Sequence, residues 1–174
     1  KSNLGPIMAK HGFEFQKRTS SNVGAGIGQS LHQAASQHLQ AKLDGYGGVN
    51  LEQVAVTDFN KAVGAGDIVF DDGKRPVTAN QETAVIQIKR MAPVLHAHLD
   101  TLKPKRLEFS LSVRPDPLKA YLVTGHPDFL GVEEDLRDYK FGGKLGQYEA
   151  QVGMYSLSIK SAGGDVKSLF VDWL

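Results

Sequence analysis

The hydrophobic residues of this chain change their spacing near residue 106, and this change limits the folds that the chain can adopt. Before it, residues 26–43 and 80–102 carry apolar side chains three and four positions apart, which is typical of amphipathic helices. After it, residues 106–113 alternate apolar and polar side chains, which is typical of a half-buried strand. Long helices followed by strands predict a sheet that is covered by helices.

The two long helices are separated by a segment of mixed character. Residues 50–63 fit a short helix capped by the asparagine at its start, and residues 67–78 fit a strand with a turn at residues 72–73. In the second long helix, Asn80 is placed to cap the first turn and Pro93 to kink the middle. We therefore predict three helices and one short strand before residue 106.

The second half of the chain predicts further strands and one more helix. Residues 119–125, "KAYLVTG", fit a strand that follows a turn-like "RPDP", so they are expected to pair with residues 106–113 as a hairpin. Residues 135–141 form a third strand, residues 147–164 a helix that two glycines end, and residues 166–174 a closing strand. The expected fold is α/β, with a central mixed β-sheet flanked by α-helices.

Composition limits the domain count and the kinds of metal site. A length of 174 residues with 41% hydrophobic and 22% charged residues predicts one folded domain over residues 1–174. No apolar run approaches the roughly 18 residues of a membrane-spanning helix, so an intracellular, cytoplasmic protein is expected. Because the chain has no cysteine, any metal site must use oxygen or imidazole ligands.

Net charge does not by itself predict a nucleic-acid partner. The chain carries a formal charge of only +1, which is too small for a general affinity for phosphate backbones. Two local clusters could still contact DNA, namely "LKPKR" at residues 102–106 and the pair Lys17 and Arg18. An ordinary solvated surface explains each cluster more simply.

The stretch "GHPDFLGVEEDLRDYKFGG", residues 125–143, crowds acidic residues around Lys140. Asp128 follows the second predicted strand, whereas Asp138 and Lys140 share one face of the third. Carboxylates that converge beside an ammonium group suit Mg²⁺ or Mn²⁺, and such a site can hydrolyse phosphodiesters. The simpler alternatives are a turn aspartate and an exposed ion pair, and residues 133–135 are interpreted as a solvated turn.

Three short motifs together resemble those of a nuclease superfamily. Residues 127–128 "PD" and 138–140 "DYK" resemble the motif of the PD-(D/E)XK nucleases. Residues 28–32 "GQSLH" and 151–155 "QVGMY" resemble the GxxxH and QxxxY motifs of the RecB-like branch of that superfamily. The close spacing of the two acidic motifs is also similar to the phage lambda exonuclease type.

This resemblance implies a fold, an activity and a set of site residues. The fold is a restriction-endonuclease-like core, and the activity is hydrolysis of DNA, by an exonuclease mode, in recombination, repair or phage replication. The cofactor is Mg²⁺ or Mn²⁺, and the histidine ligand favours Mn²⁺. The implied metal ligands are His32, Asp128 and Asp138. The implied catalytic residues are Glu108, Asp128, Asp138 and Lys140, and the implied substrate-binding residues are Gln151 and Tyr155.

Other interpretations remain open at the level of sequence. The chain could be a catalytically inert DNA-binding module of a larger repair assembly, an endonuclease of the same superfamily, or a nuclease that acts on RNA. Single residues also have ordinary explanations. His32 can be a packed histidine, Glu108 the wet face of a strand, and Gln151 and Tyr155 a polar edge and a core aromatic of the last helix.

Overall fold

The structure is a computed structural model that describes residues 21–70, 77–114, 120, 122–141 and 148–173. Within these ranges the helices are α1 Val23–Leu43, α2 Leu51–Gly64, α3 Val77–Asp100 and α4 Glu149–Ser161. The strands are β1 Ser21–Asn22, β2 Ile68–Val69, β3 Pro104–Leu107, β4 Leu111–Val113, β5 Val123–Gly125, β6 Phe129–Gly131, β7 Asp135–Lys140 and β8 Ser168–Trp173. No helix in the described ranges is long and apolar enough to cross a membrane.

A four-stranded sheet forms the centre of the fold, in the order β3-β6-β7-β8. The first two pairs are antiparallel, whereas β7 and β8 are parallel, so the sheet is mixed. Arg137 of β7 fastens the parallel pair, because its Nη1 donates to Asp172 of β8 at 3.1 Å. The prediction of an α/β fold with a mixed central sheet flanked by helices is confirmed.

The sheet separates two hydrophobic clusters because successive residues of a strand face opposite sides. The larger cluster joins α1, α2 and α3 to one face, and its largest side chains are Leu31, Leu39, Phe59, Ile88, Leu95, Leu99, Phe129 and Tyr139. The smaller cluster joins α4 to the other face and consists of Phe109, Leu130, Leu136, Tyr155, Ile159 and Val166. Strand β7 therefore contributes to both, through Tyr139 on one side and Leu136 on the other.

The helix predictions hold, with one correction at a helix start. Asn50 caps α2, since its side chain accepts the backbone N–H of Gln53 at 3.0 Å. The predicted cap at Asn80 is wrong, because α3 begins at Val77 and Asn80 already lies inside it. Pro93 lies within α3 as predicted. Strand β2 is present, and the turn predicted at residues 72–73 lies outside the described residues.

The strand predictions need two corrections. Residues 106–113 are not one strand, because the chain breaks at Glu108, whose φ of 45° lies in the left-handed region that strands do not use. Only β4, after the break, pairs with β5, and this hairpin forms a separate two-stranded sheet. Strand β6 was not predicted and lies between β3 and β7 in the central sheet.

Candidate active site

Three acidic residues lie side by side on neighbouring strands of the central sheet. Glu108 follows β3 directly and Asp128 precedes β6 directly, and the register of these two strands places the two residues next to each other. The register of β6 and β7 places Asp128 opposite Asp138. The backbone continues this alignment, because the N–H of Glu108 donates to the carbonyl of Asp128 at 3.1 Å. The side chain of Asp128 also accepts the backbone N–H of Tyr139 at 2.8 Å, which fixes its orientation.

His32 extends from α1 toward this row of acids. Its Nε2 lies 3.2 Å from Oε1 of Glu108 and 3.4 Å from Oδ1 of Asp128, and one ligand atom from each residue lies within 4.8 Å of the others. We call these three residues the His32 cluster. The Nε2 atom is buried and makes no hydrogen bond of good geometry, although it lies within ion-pair distance of both carboxylates.

Gly28 explains how α1 comes so close to the sheet. A side-chain Cβ at this position would lie 3.1 Å from Cβ of Phe141 and 3.4 Å from its carbonyl oxygen, which is tighter than ordinary contact. Glycine therefore lets the helix cross the end of β7, one turn before His32. The first and last residues of the "GQSLH" motif thus serve one purpose, which is to hold the imidazole over the acids.

Asp138 and Lys140 form a second part of the site on β7. As predicted, they share one face of the strand, and Nζ of Lys140 contacts Oδ2 of Asp138. The Asp138 carboxylate is only 3% exposed, and it is not a member of the His32 cluster. Lys140 also lies over the ring of Tyr148, with Nζ 5.0 Å from the ring centroid.

Three groups of the site, His32, Glu108 and Asp138, have raised pKa values. The adjacent Asp128 carboxylate raises the pKa of His32, although burial acts in the opposite direction. Burial raises the pKa of Asp138 despite the nearby Lys140, and burial likewise raises that of Glu108 despite the nearby His32. Burial thus disfavours the charged form of both carboxylates, whereas the acids around His32 favour its protonated form.

The donor set of the His32 cluster fits a divalent cation. Adjacent ligands of an octahedral ion with bonds of about 2.1 Å are about 3.0 Å apart, close to the observed 3.2 and 3.4 Å. Carboxylate oxygens suit Mg²⁺ and Mn²⁺ alike, and the imidazole nitrogen favours Mn²⁺. The buried Nε2 without a hydrogen bond is the atom that an ion would satisfy.

Gln151 and Tyr155 contact each other on α4, as their spacing predicts. The Gln151 amide donates to the Tyr155 hydroxyl at 2.9 Å. Tyr155 is 9% exposed and packs in the smaller hydrophobic cluster, where a side chain at Gly125 would overlap its ring. The pair lies outside the His32 cluster, so Tyr155 has a packing role in addition to any contact with substrate.

Two residues that sequence reasoning left out lie beside the cluster. A hydrogen bond from Ser36 and the nearby His126 both act on Glu108 and lower its pKa, against the larger effect of burial. Ser36 lies one helical turn after His32, and this spacing in the sequence could have indicated that both side chains face the site. His126 has its ring Nδ1 3.2 Å from the Ser110 hydroxyl, and no periodic pattern marked it.

The basic and acidic surface clusters have mostly structural contacts. Lys105 pairs with Glu134 at 2.7 Å, and Asp135 accepts a hydrogen bond from Arg137 at 2.8 Å. Of the three acids predicted to form a solvated turn, Glu133 is the one that is exposed. Arg106 stacks over Phe109 at 4.4 Å from the ring centroid. The pair at residues 17–18 lies outside the described residues.

We expect Asp138→Asn to stabilise the metal-free protein by about 1 kcal/mol near pH 8. Because the folded-state pKa of Asp138 is raised above the ordinary 3.8, its ionised form destabilises the fold, fully so above the raised pKa. This cost disappears as the pH falls toward 3.8, so the difference from wild type should narrow there. Urea unfolding in chelator across this pH range measures it.

Excess Mn²⁺ provides the control for this prediction. An ion held by the His32 cluster would bind the wild type more tightly than the variant, which lacks the nearby charge of Asp138, so it should reverse the order of stability at pH 8. A variant that is less stable than wild type in chelator at pH 8 would mean that Asp138 is stabilised by Lys140 more than it is destabilised by burial.

Comparison of the chain with protein-family models, with curated proteins and with solved structures finds no match.

Proposed function

We propose that this protein is a metal-dependent deoxyribonuclease of the RecB-like PD-(D/E)XK kind that hydrolyses DNA phosphodiester bonds. The observation that carries the proposal is the convergence of His32, Glu108 and Asp128 around one point, next to the buried Asp138 and its partner Lys140. The sequence motifs support it, because residues more than 70 positions apart in the chain meet where the resemblance requires them.

His32, Glu108 and Asp128 are the residues that would hold Mg²⁺ or Mn²⁺, with the charge of Asp138 nearby. The bound ion would supply a Lewis acid that polarises a phosphate oxygen and lowers the pKa of a water molecule. Tyr139 contributes through its backbone, since its N–H orients the Asp128 carboxylate. The acids that raise the pKa of His32 also make the site negative, which attracts a cation once the imidazole has lost its proton.

Lys140 is assigned to the chemical step. Its ammonium is held on the face of β7 by the Asp138 carboxylate, so it is placed to donate a hydrogen bond to the attacking water or to a phosphate oxygen. Enzymes typically accelerate reactions by an amount worth about 8 to 23 kcal/mol, which no single contact supplies. Lys140, the metal ion and the positioning of the substrate must therefore each contribute to the rate acceleration.

The mode of cleavage proposed is exonucleolytic, in DNA recombination, repair or phage replication inside a cell. This part of the proposal rests on the likeness of the motifs to those of the RecB-like branch. Gln151 is the half-buried member of the α4 pair, and it is the one proposed to reach DNA.

We expect the purified protein to degrade linear double-stranded DNA with Mn²⁺ and to lose this activity in chelator. Covalently closed circular DNA should resist, because an exonuclease needs an end. Gel electrophoresis of both substrates with Mn²⁺, with Mg²⁺ and with chelator measures the outcome. Because His32 is an imidazole ligand, Mn²⁺ should support a higher rate than Mg²⁺ at equal concentration.

Each other outcome of this assay points to a different function. Cleavage of the closed circle indicates an endonuclease. DNA that is bound but left intact under all conditions indicates an inert binding module and removes the enzyme proposal. A higher rate with Mg²⁺ than with Mn²⁺ argues against His32 as a ligand.

A further inference from the structure

A second group of metal-ligating side chains lies between α1 and α3, outside the His32 cluster. His38 comes from α1, and His96 and Asp100 come from α3, with one ligand atom of each within 4.8 Å of the others. Nε2 of His38 lies 3.1 Å from Oδ1 of Asp100, and Nε2 of His96 lies 3.8 Å from Oδ2 of the same carboxylate. Two imidazoles thus converge on one carboxylate.

The imidazole of His38 is held in position by the loop that follows α1. The ring is 1% exposed, and its Nδ1 faces both the N–H of Val49 at 3.2 Å and the carbonyl of Val49 at 3.3 Å. Either tautomer is therefore satisfied at Nδ1, and in the one that donates to the carbonyl, Nε2 keeps a free lone pair. Support of this kind on the far nitrogen is typical of histidine ligands.

Gly48 adds a second constraint on the same ring. Its φ of 119° lies in the region that favours glycine, and a Cβ at this position would overlap the His38 imidazole. The loop is therefore packed directly against the histidine.

The last turn of α3, which carries the other two ligands, is also held in position. His96 and Asp100 are four residues apart, so they lie on one face of the helix. Lys42 of α1 donates from Nζ to the carbonyls of Leu99 and Asp100 at 2.9 and 2.8 Å, which ties the last turn of α3 to α1. The rings of His38 and His96 meet edge to face, with their centroids 4.9 Å apart.

We propose that His38, His96 and Asp100 bind a transition-metal ion, with Zn²⁺ as the preferred ion. Two imidazole nitrogens and one carboxylate oxygen form a common donor set for Zn²⁺. Ligand atoms of a tetrahedral site with bonds of about 2.0–2.1 Å are about 3.3 Å apart. The observed 3.1 and 3.8 Å are near this value, so modest rotation of the side chains completes the site.

The fourth position of this site faces solvent. The side chains of His96 and Asp100 are about half exposed, in contrast to that of His38. His96 also lines a groove of about 340 Å³ with Val49, Asn50, Leu51, Glu52, Ala92 and Pro93, which gives an ion a path of entry. A bound ion with water as its fourth ligand would hold α1, α3 and the intervening loop together.

Titration of the full chain with Co²⁺ and Zn²⁺ tests the proposal. Co²⁺ in a tetrahedral site of nitrogen and oxygen ligands gives visible absorption bands, which Zn²⁺ should abolish by displacement. His96→Ala should lose these bands and weaken Zn²⁺ binding by about 100-fold or more, since even loss of a supporting contact costs about 10- to 100-fold. Competition with a chromogenic chelator measures the affinity.

His32→Ala is the matched control, because it removes a histidine from α1 but leaves this second site intact. It should keep the Co²⁺ bands and the Zn²⁺ affinity of the wild type, whatever its effect on DNA cleavage. His96 is half exposed, so its replacement should leave the fold intact, and circular dichroism checks this. In the His32→Ala background, which removes the other candidate metal site, Zn²⁺ should raise the Tm, and adding His96→Ala should abolish this rise. Bands and affinity that survive in the double variant His32→Ala/His96→Ala would overturn the proposal.

Discussion

Asp128→Asn is expected to lower DNA cleavage by about 10³-fold, with the fold preserved. Asp128 is the residue on which the site converges, because its Oδ1 lies near His32 while its Oδ2 accepts the N–H of Tyr139. Asparagine keeps an oxygen that can accept from Tyr139, so the backbone stays in place. It removes the negative charge that a cation requires, so both metal affinity and turnover should fall.

Cleavage rates on linear DNA, together with calorimetric titration of Mn²⁺, measure this effect. Glu133→Gln is a suitable control, because it removes an exposed acid from the same hairpin without touching the site. Its cleavage rate and Mn²⁺ affinity should equal those of the wild type. Wild-type cleavage by Asp128→Asn would show that the His32 cluster does not hold the catalytic ion.

The break at Glu108 shows why periodicity could not predict the strands fully. Leu107, Phe109 and Leu111 alternate regularly with polar residues, so they were expected on one face of one strand. In the fold, Leu107 packs on the cluster of the three helices, whereas Phe109 and Leu111 pack on the cluster of α4. The positive φ of Glu108 reverses the face. The alternation of apolar and polar residues indicates which side chains are buried, but it does not indicate on which face of the sheet each one lies.

Strand β6 was missed for a related reason. Its three residues are all buried, and they lie between "GHPD" and "VEE", both of which are typical of turns. A three-residue apolar run has no period of its own, and it becomes a strand only because β3 and β7 supply hydrogen-bond partners on both sides.

The His32 cluster was largely predictable, and the second histidine site was not. The motifs named His32, Glu108 and Asp128, and all three meet in space. The shared face of Asp138 and Lys140 on β7 was also predicted, whereas the exclusion of Asp138 from the cluster required the structure. His96 and Asp100 show helical spacing in the sequence, but their partner on α1 is 58 residues before His96, and only helix packing brings it to them.

The second large effect is expected for Lys140→Ala, which should lower the rate of DNA cleavage by about 10²- to 10³-fold. The lysine is assigned to the chemical step and not to the His32 cluster, so Mn²⁺ affinity and DNA binding should stay close to wild type. Its loss also removes the cation that lowers the pKa of Asp138, so that pKa should rise further. Remaining activity should therefore move to higher pH.

Single-turnover cleavage across pH and a separate DNA-binding titration distinguish these effects. Lys140→Met keeps the apolar stem that lies near Tyr148 and removes only the charge, so it should behave like Lys140→Ala if the ammonium is what matters. Lys105→Ala, which loses a surface pair with Glu134, is the matched control and should cleave normally. Activity retained by Lys140→Ala would exclude the lysine from the chemistry. A loss of binding as large as the loss of cleavage would instead make Lys140 a DNA contact, because a residue that acts only in the transition state lowers the rate and leaves ground-state binding unchanged.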